Sequence, residues 1–294
     1  MSLVDGSLSS NRPFGQNFGA YAADYKKGRK GYPDELFSYL QERVFDKNCE
    51  VLDVGCGTGI GTRGLAAKFR HVKGIDADAR MIEQAQSEKS TISFTATPCQ
   101  TLPFKARQFG LITGFQSFNW IINTEENEKQ AMKEIKRILK PGGYLAIVDT
   151  LKGGGSSNAT KKIWDKYIPK ENPHKEPEQD MKKILKKYRF QDVQEHHFSG
   201  KQTRTLDEAL SHFRSISRWA LIPDEDKPKA LAEYKKSIED MIAEQKAQGG
   251  DGVHFTRESH FYVISGKKPQ RSNKPDPNGL RKEYNLRSKA SIGE

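Results

Sequence analysis

The sequence predicts an α/β chain built on a doubly wound, mostly parallel seven-stranded sheet that carries helical cap insertions. Three observations predict it. Short apolar runs alternate with segments of helical periodicity from about residue 33 to residue 149. A glycine-rich turn, Gly55-Cys56-Gly57-Thr58-Gly59, stands where the apolar run Val51-Leu52-Asp53-Val54 meets the start of a helix. A second run, Val72-Lys73-Gly74-Ile75-Asp76, ends in an acid about 20 residues beyond that turn, where α/β nucleotide folds place a carboxylate.

Each element can be justified in order. Pro33 to Val44 reads as a helix, followed by strand 50–55, helix 60–69, strand 71–76 and helix 79–88, with Asp78 as its N-cap. Strands 92–95 and 109–114 come next. The helix over 125–139 is well marked: Glu125, Glu126 and Glu128 open it, Lys136, Arg137 and Lys140 close it, and each charge sign suits its end of the helix dipole. Ala131, Ile135, Ile138 and Leu139 form its apolar stripe, and Pro141-Gly142-Gly143 stops it. Strand 144–149 follows, and 190–198 and 259–266 read as two closing strands. Residues 150–189 and 203–257 exceed ordinary connections; the second holds helical patterns near 206–220 and 227–247. Insertions of this length act as lids or substrate caps beyond the carboxyl ends of the strands. The basic run Lys182 to Arg189, interleaved with Ile184, Leu185 and Tyr188, suits a solvated helix face.

Composition bounds the class. A chain of 294 residues with 35% hydrophobic and 30% charged content can bury a full core and remain water-soluble. No run approaches 18 apolar residues, so no membrane span is expected, and the amino terminus lacks the basic and apolar regions of a secretory signal. Cys49, Cys56 and Cys99 are odd in number and lack metal-ligand spacing, which predicts reduced thiols, a cytoplasmic location and no bound metal. The net charge of +11 could serve an anionic partner, nucleic acid included. Much of the excess lies in the segment 267–294, rich in Lys, Arg, Pro and Asn and expected to be disordered.

The glycine turn selects its ligand. Alternating glycines let main chain approach a ligand, and the helix start offers bare N–H groups. A dinucleotide fingerprint is not met, because the sixth position from Gly55 is Ile60. Gly59-Ile60-Gly61-Thr62-Arg63-Gly64 fits that pattern only inside the helix, and no Gly-Lys-Ser/Thr follows for a P-loop. What remains is hydrophobic-Asp-x-Gly-x-Gly-x-Gly with Asp53 at the strand end. It resembles the first motif of the class I S-adenosylmethionine (SAM) dependent methyltransferases.

The resemblance extends along the chain. Asp76 would then accept the ribose hydroxyls, with Ala77 beside it and Met81 packing on adenine. Cys99-Gln100-Thr101-Leu102-Pro103-Phe104 is similar to the "A-E-x-L-P-F" of the methyltransferase type 11 family, which places Cys99 and Gln100 near adenine. Gln100 replaces the usual Glu, Pro98 a common Asp, and Gly110 the acid of "S-F-D-L-V". Phe115-Gln116-Ser117-Phe118-Asn119-Trp120 resembles "x-Q-A-x-H-W", a loop that faces the methionine part of SAM and the acceptor; Asn119 replaces His there. Gln116, Asn119 and Trp120 are the candidate reacting-centre residues, with Trp120 also an acceptor contact whose π face suits a sulfonium.

Tyr21, Tyr25, Arg29, Tyr32 and Pro33 resemble the opening segment of trans-aconitate methyltransferase-like proteins, which implies that residues 1–34 fold over SAM as a lid on a domain spanning 35–266. Tyr25 would cover the cofactor, and Arg29 would pair with the methionine carboxylate. Phe213 to Trp219 resembles the family's "L-R-T-W-S-x-Y" cap segment. The expected cofactor contacts are Tyr25, Arg29, Asp53, Gly55, Cys56, Gly57, Gly59, Asp76, Ala77, Met81, Cys99, Gln100, Phe115 and Gln116.

The reaction implied is SN2 displacement of methyl from SAM, with S-adenosylhomocysteine as product. A carboxylate acceptor would need no general base, and Arg214, Arg218 or Arg257 in the cap could hold it. The competing readings are an RNA methyltransferase, suggested by the charge, and a SAM-binding protein without catalysis, suggested by Pro98, Gly110 and Asn119. The sequence sets neither the acceptor nor the oligomeric state.

Overall fold

The computed structural model describes residues 18–44, 46–151, 158–170 and 179–270. The expectations for residues 1–17 and for the basic tail from 271 onward lie outside the described residues. A short 3-10 turn (Phe18–Tyr21) and α1 (Ala22–Gly28) open the chain, and α2 (Asp34–Arg43) leads into the sheet. The strands are β1 (Glu50–Val54), β2 (His71–Asp76), β3 (Ser93–Ala96), β4 (Phe109–Phe115), β5 (Leu139–Thr150), β6 (Gln191–Thr205) and β7 (His254–Lys267). Between them run α3 (Ile60–Ala66), α4 (Ala79–Gln86), α5 (Phe118–Ile121), α6 (Glu125–Ile138), α7 (Asn158–Tyr167), α8 (Met181–Lys187), α9 (Leu206–Arg214) and α10 (Lys227–Ala247).

The sheet order is β3-β2-β1-β4-β5-β7-β6, with β7 antiparallel to both neighbours and the other pairings parallel. The seven-stranded, mostly parallel α/β sheet expected from the alternation is present. The order reverses between β1 and β4, so their carboxyl ends flank the crevice in which this architecture binds ligands.

Period-two alternation builds the core on both faces. Leu52, Val54, Ile112, Leu145 and Ile147 point to one side, against Ala131, Met132, Ile135 and Ile138 of α6. Val51, Leu111, Ala146 and Val148 point to the other, against Leu36, Phe37 and Leu40 of α2 and Leu65 of α3. The two insertions share a third core. Phe213 of α9 stacks between Trp164 of α7, 4.3 Å away, and Tyr234 of α10, 4.1 Å away. The cap is thus one packed unit.

Two boundaries differ from expectation in a way that matters. β6 and β7 run well past 198 and before 259, as a two-stranded ribbon that leaves the sheet and carries the cap. β5 begins at Leu139, with an irregularity against β4 where Pro141-Gly142-Gly143 fall. No helix among the described residues is long and apolar enough to cross a membrane.

Candidate active site

The glycine turn is built by two glycines with different tasks. Gly55 has φ +65°, and a Cβ there would lie 2.5 Å from the Cβ of Ser117, whose hydroxyl donates to the Val54 carbonyl at 2.7 Å. Gly57 has φ +55°, and a Cβ there would meet only the Tyr25 ring, at 3.8 Å. The first glycine therefore lets the β4 end close on β1. The second turns bare main chain toward the space beneath Tyr25. The Cys56 amide donates to the Ile75 carbonyl at 2.8 Å and ties the turn to β2. The buried Cys56 thiol is pushed well above the ordinary range, chiefly by desolvation, and is not a nucleophile.

Asp53, expected among the ligand contacts, lies beneath the turn with no exposed surface. Its carboxylate accepts from Thr62 Oγ1 at 2.7 Å and Thr113 Oγ1 at 3.0 Å, so it braces β1, α3 and β4 against one another. Burial raises its pKa to about 7, against the pull of the two hydroxyls.

Asp76 holds the rim. One oxygen accepts from the Gly57 amide at 2.8 Å and the other from the Asp78 amide at 2.9 Å. Desolvation raises its pKa, and the amide bonds oppose that shift. Each oxygen keeps a lone-pair direction for a further donor, such as a ribose hydroxyl. Asp78 caps α4 and also receives the Gly19 amide at 3.0 Å, which pins the start of the lid segment to this rim.

The β4 end supplies the opposite wall. Gln116 is a non-glycine residue at φ +52°, a strained conformation held by its amide bond to the Val148 carbonyl at 2.8 Å. Its Oε1 accepts from Arg29 Nη1 at 2.9 Å. Asn119 donates to Asp149 Oδ2 at 3.2 Å, while its own Oδ1 is buried without a hydrogen-bond partner. Trp120 is half-buried and meets the Phe18 ring edge-on at 5.3 Å. Asp149 was not among the residues singled out from the sequence, yet it ends an apolar run at the carboxyl end of β5, the same signal that marks Asp53 and Asp76.

The lid segment closes over this floor. Arg29 also donates to Ser215 Oγ at 3.1 Å and to the Ser215 carbonyl at 3.3 Å, and lies over the Tyr25 ring. Arg214 forms a bidentate pair with Asp24 of α1 at 2.9 and 2.6 Å. Gly28 packs so tightly on the α9 backbone that a Cβ would lie 2.1 Å from the His212 amide nitrogen. The slot left between Tyr25, Tyr32, Cys56, Gly61, Phe115 and Gln116 is narrow, about 20 Å³.

Comparison with known proteins agrees with this geometry. Residues 52–147 match the family model described as a methyltransferase domain. An uncharacterized methyltransferase of Schizosaccharomyces pombe is 24% identical over 260 residues, covering 82% of this chain and 93% of its own. A malonyl-[acyl-carrier protein] O-methyltransferase of Pseudescherichia vulneris is 28% identical over 50% of this chain and 57% of its own. Among solved structures, a candidate type II methyltransferase from Anaeromyxobacter dehalogenans superposes with a TM-score of 0.60 at 18% identity, over 82% of this chain and 99% of that one, which establishes the shared fold. The chain carries a class I SAM-dependent methyltransferase domain.

The methyltransferase site fits its cofactor, SAM. The open main chain at Gly57, the two lone-pair directions of Asp76 and the Tyr25 ring offer approach, hydroxyl acceptors and an aromatic cover. Met81 is buried beside the rim, Ala77 is exposed on it, and Gly59 (φ +84°) turns the chain into α3.

Several residues expected to touch the cofactor or the acceptor are tied into the fold by partners within the chain. Cys99 belongs to the core beneath β1 and β4, where burial pushes its thiol up to about 12. The Gln100 side-chain nitrogen donates to the Ile121 carbonyl at 2.9 Å and ties the loop to α5. Gly110 is required for packing: a Cβ there would lie 2.6 Å from both Cβ and Sγ of Cys49. The position is therefore a packing contact between β4 and the turn that carries Cys49. Arg214, expected to hold an acceptor, is committed to Asp24, and Arg218 is exposed in a 3-10 turn (Ser217–Leu221). Arg257 lies on the β6–β7 ribbon, with Nη2 3.7 Å from Met241 Sδ.

Proposed function

We propose that this enzyme transfers the methyl group of SAM to a carboxylate oxygen of a small organic acid. The enclosure of the site carries the reading. Arg29 joins the lid to Gln116 on the floor and to Ser215 in the cap, and Arg214–Asp24 fastens the lid a second time. Such closure excludes water and admits a small acceptor more readily than a folded polymer. The likeness to a malonyl-[acyl-carrier protein] O-methyltransferase over half the chain supports an acid as acceptor.

When bound, SAM supplies a methyl group already activated on a sulfonium. The chain has to align the acceptor with that carbon and keep water out. Gln116 and Phe115 set one wall, and Tyr25 and Arg29 close the other. A carboxylate is ionised at neutral pH, so no protein base need take a proton. A carboxylate lone pair would form the new C–O bond as the C–S bond breaks, with sulfur keeping the electron pair, so the products would be the methyl ester and S-adenosylhomocysteine.

Asn119 and Asp149 favour a second reading. A buried amide oxygen without a donor, beside a carboxylate, suits an acceptor that brings an O–H or N–H. Asp149 would then receive the proton. Methyl-labelled SAM offered with small carboxylic acids, with alcohols and amines, and with total RNA separates the readings. Label in the acids supports the proposal; label only in alcohols, amines or RNA rejects it.

A further inference from the structure

We propose that Gln202 and Arg204 of the β6–β7 ribbon are positioning residues for cofactor binding. They grip the main chain on both sides of Arg29 and so aim its guanidinium at the cofactor's carboxylate. This rests on Arg29 as the partner of that carboxylate and is independent of which acceptor is methylated.

Arg29 stands where a helix ends. It is the C-cap of α1, with its amide donating to the Tyr25 carbonyl at 3.0 Å and its backbone extended at φ −79°, ψ 131°. The last carbonyls of a helix lack intrahelical donors, and the chain beyond them has no ladder of its own to fix it. The Arg29 side chain bonds Gln116 on the floor and Ser215 in the cap. A small swing of this stretch would carry the guanidinium away from both.

The ribbon supplies the hold. Arg204 Nε donates to the Gly28 carbonyl at 3.0 Å, which sets a cation at the negative end of α1. Gln202 Nε2 donates to the Gly31 carbonyl at 3.1 Å. Residues two apart on a strand share a face, so one face of β6 meets both carbonyls. The sense of the Gln202 amide is fixed, because its Oε1 accepts from Arg204 Nη2 at 2.8 Å and from Ser259 Oγ at 3.1 Å, and only the nitrogen is left to donate. Arg204 is 6% exposed, so losing these partners to water is not open to it without cost.

Two further contacts keep the stretch from sliding. A Cβ on Gly28 would lie 2.1 Å from the His212 amide nitrogen, so α1 ends pressed against the α9 backbone. Lys30 pairs at 2.6 Å with Glu208, the capping-box residue of α9. Gly28, Lys30 and Gly31 are thus tied down around Arg29. Apolar packing alone is non-directional. Hydrogen bonds to two named carbonyls fix rotation as well as position, which a guanidinium needs to meet a planar carboxylate.

The test compares calorimetric binding of SAM and of decarboxylated SAM, which lacks only the carboxylate, to the full-length protein. Gln202→Met removes the grip on Gly31 without changing charge, and Arg204→Lys keeps the cation but loses the fork. Each should weaken SAM by about three- to tenfold, the range for one misaligned hydrogen bond, and leave decarboxylated SAM within about twofold of wild type. In an Arg29→Ala background, Gln202→Met should change SAM affinity by less than about twofold, because the group it positions is gone. Equal weakening of both ligands, an unchanged affinity for SAM, or a full effect without Arg29 overturns the proposal. Gln202 is only half-buried, so its variant keeps the test decisive if Arg204→Lys folds poorly. If Arg29→Ala weakens both ligands alike, or neither, the premise about Arg29 fails and the proposal falls with it. If Arg29→Ala weakens SAM alone while Gln202→Met and Arg204→Lys leave it intact, the premise stands and the positioning role fails.

Discussion

Arg29 Nη1 lies 2.9 Å from Gln116 Oε1, so one guanidinium from the amino-terminal segment reaches the strained residue that follows β4. The same side chain holds Ser215 in the cap. Lid, floor and cap therefore meet at Arg29, and the partners it uses are neutral. A carboxylate of the cofactor would be the stronger partner for it.

Arg29→Ala should raise the KM for SAM by about ten- to a hundredfold, the range expected on losing a charge-assisted hydrogen bond. The melting temperature should change little, because Arg214–Asp24 still fastens the lid. Steady-state kinetics with varied SAM, beside a thermal melt, checks both parts.

Asp76→Ala should weaken S-adenosylhomocysteine binding by about 1–3 kcal/mol, from lost ribose contacts and from the freed Gly57 amide. Asp76→Asn keeps one acceptor oxygen and should lose less. Equal affinities for wild type and Asp76→Ala by calorimetry would remove Asp76 from the site.

Asp53 makes stability depend on pH. Its folded-state pKa, about 7, lies above that of an unfolded Asp, so the folded state binds more protons between those values and stability falls as pH rises through them. Asp53→Asn removes the titrating group. Its stability relative to wild type should therefore improve from pH 5 to pH 8, by up to a few kcal/mol at about 1.4 kcal/mol per unit. Urea denaturation at both pH values measures the gap; a gap that stays constant would count against the assignment.

Gly110→Ala should destabilise the fold by about 1–3 kcal/mol, because the added methyl group overlaps Cys49 across a packed strand–loop contact. Chemical denaturation reads the loss directly. A neutral result would mean that the loop carrying Cys49 yields easily.

Much of the fold was legible because its signals are local. Apolar alternation and the charges at the ends of α6 reflect backbone and dipole requirements that neighbouring residues satisfy. The glycine turn was legible for the same reason: φ values of +65°, +55° and +84° demand glycine at Gly55, Gly57 and Gly59. The ribbon was not, since Gln191–Thr205 is polar on both faces and is held by its long antiparallel ladder. With β6 expected to stop at 198, the part of the ribbon that carries the cap could not be placed. Arg214 was read as an acceptor ligand because its partner, Asp24, lies 190 residues away in sequence. Cys99 matched a motif, yet its neighbours in space made it core.

The central claim is methyl transfer to a carboxylate. Incubating the enzyme with methyl-labelled SAM and a pool of small di- and tricarboxylic acids, then treating the products with mild base, tests it most directly. Ester formation predicts label in the acid fraction that base releases as volatile methanol. Label that stays base-stable, or that enters no small acid, would contradict the account.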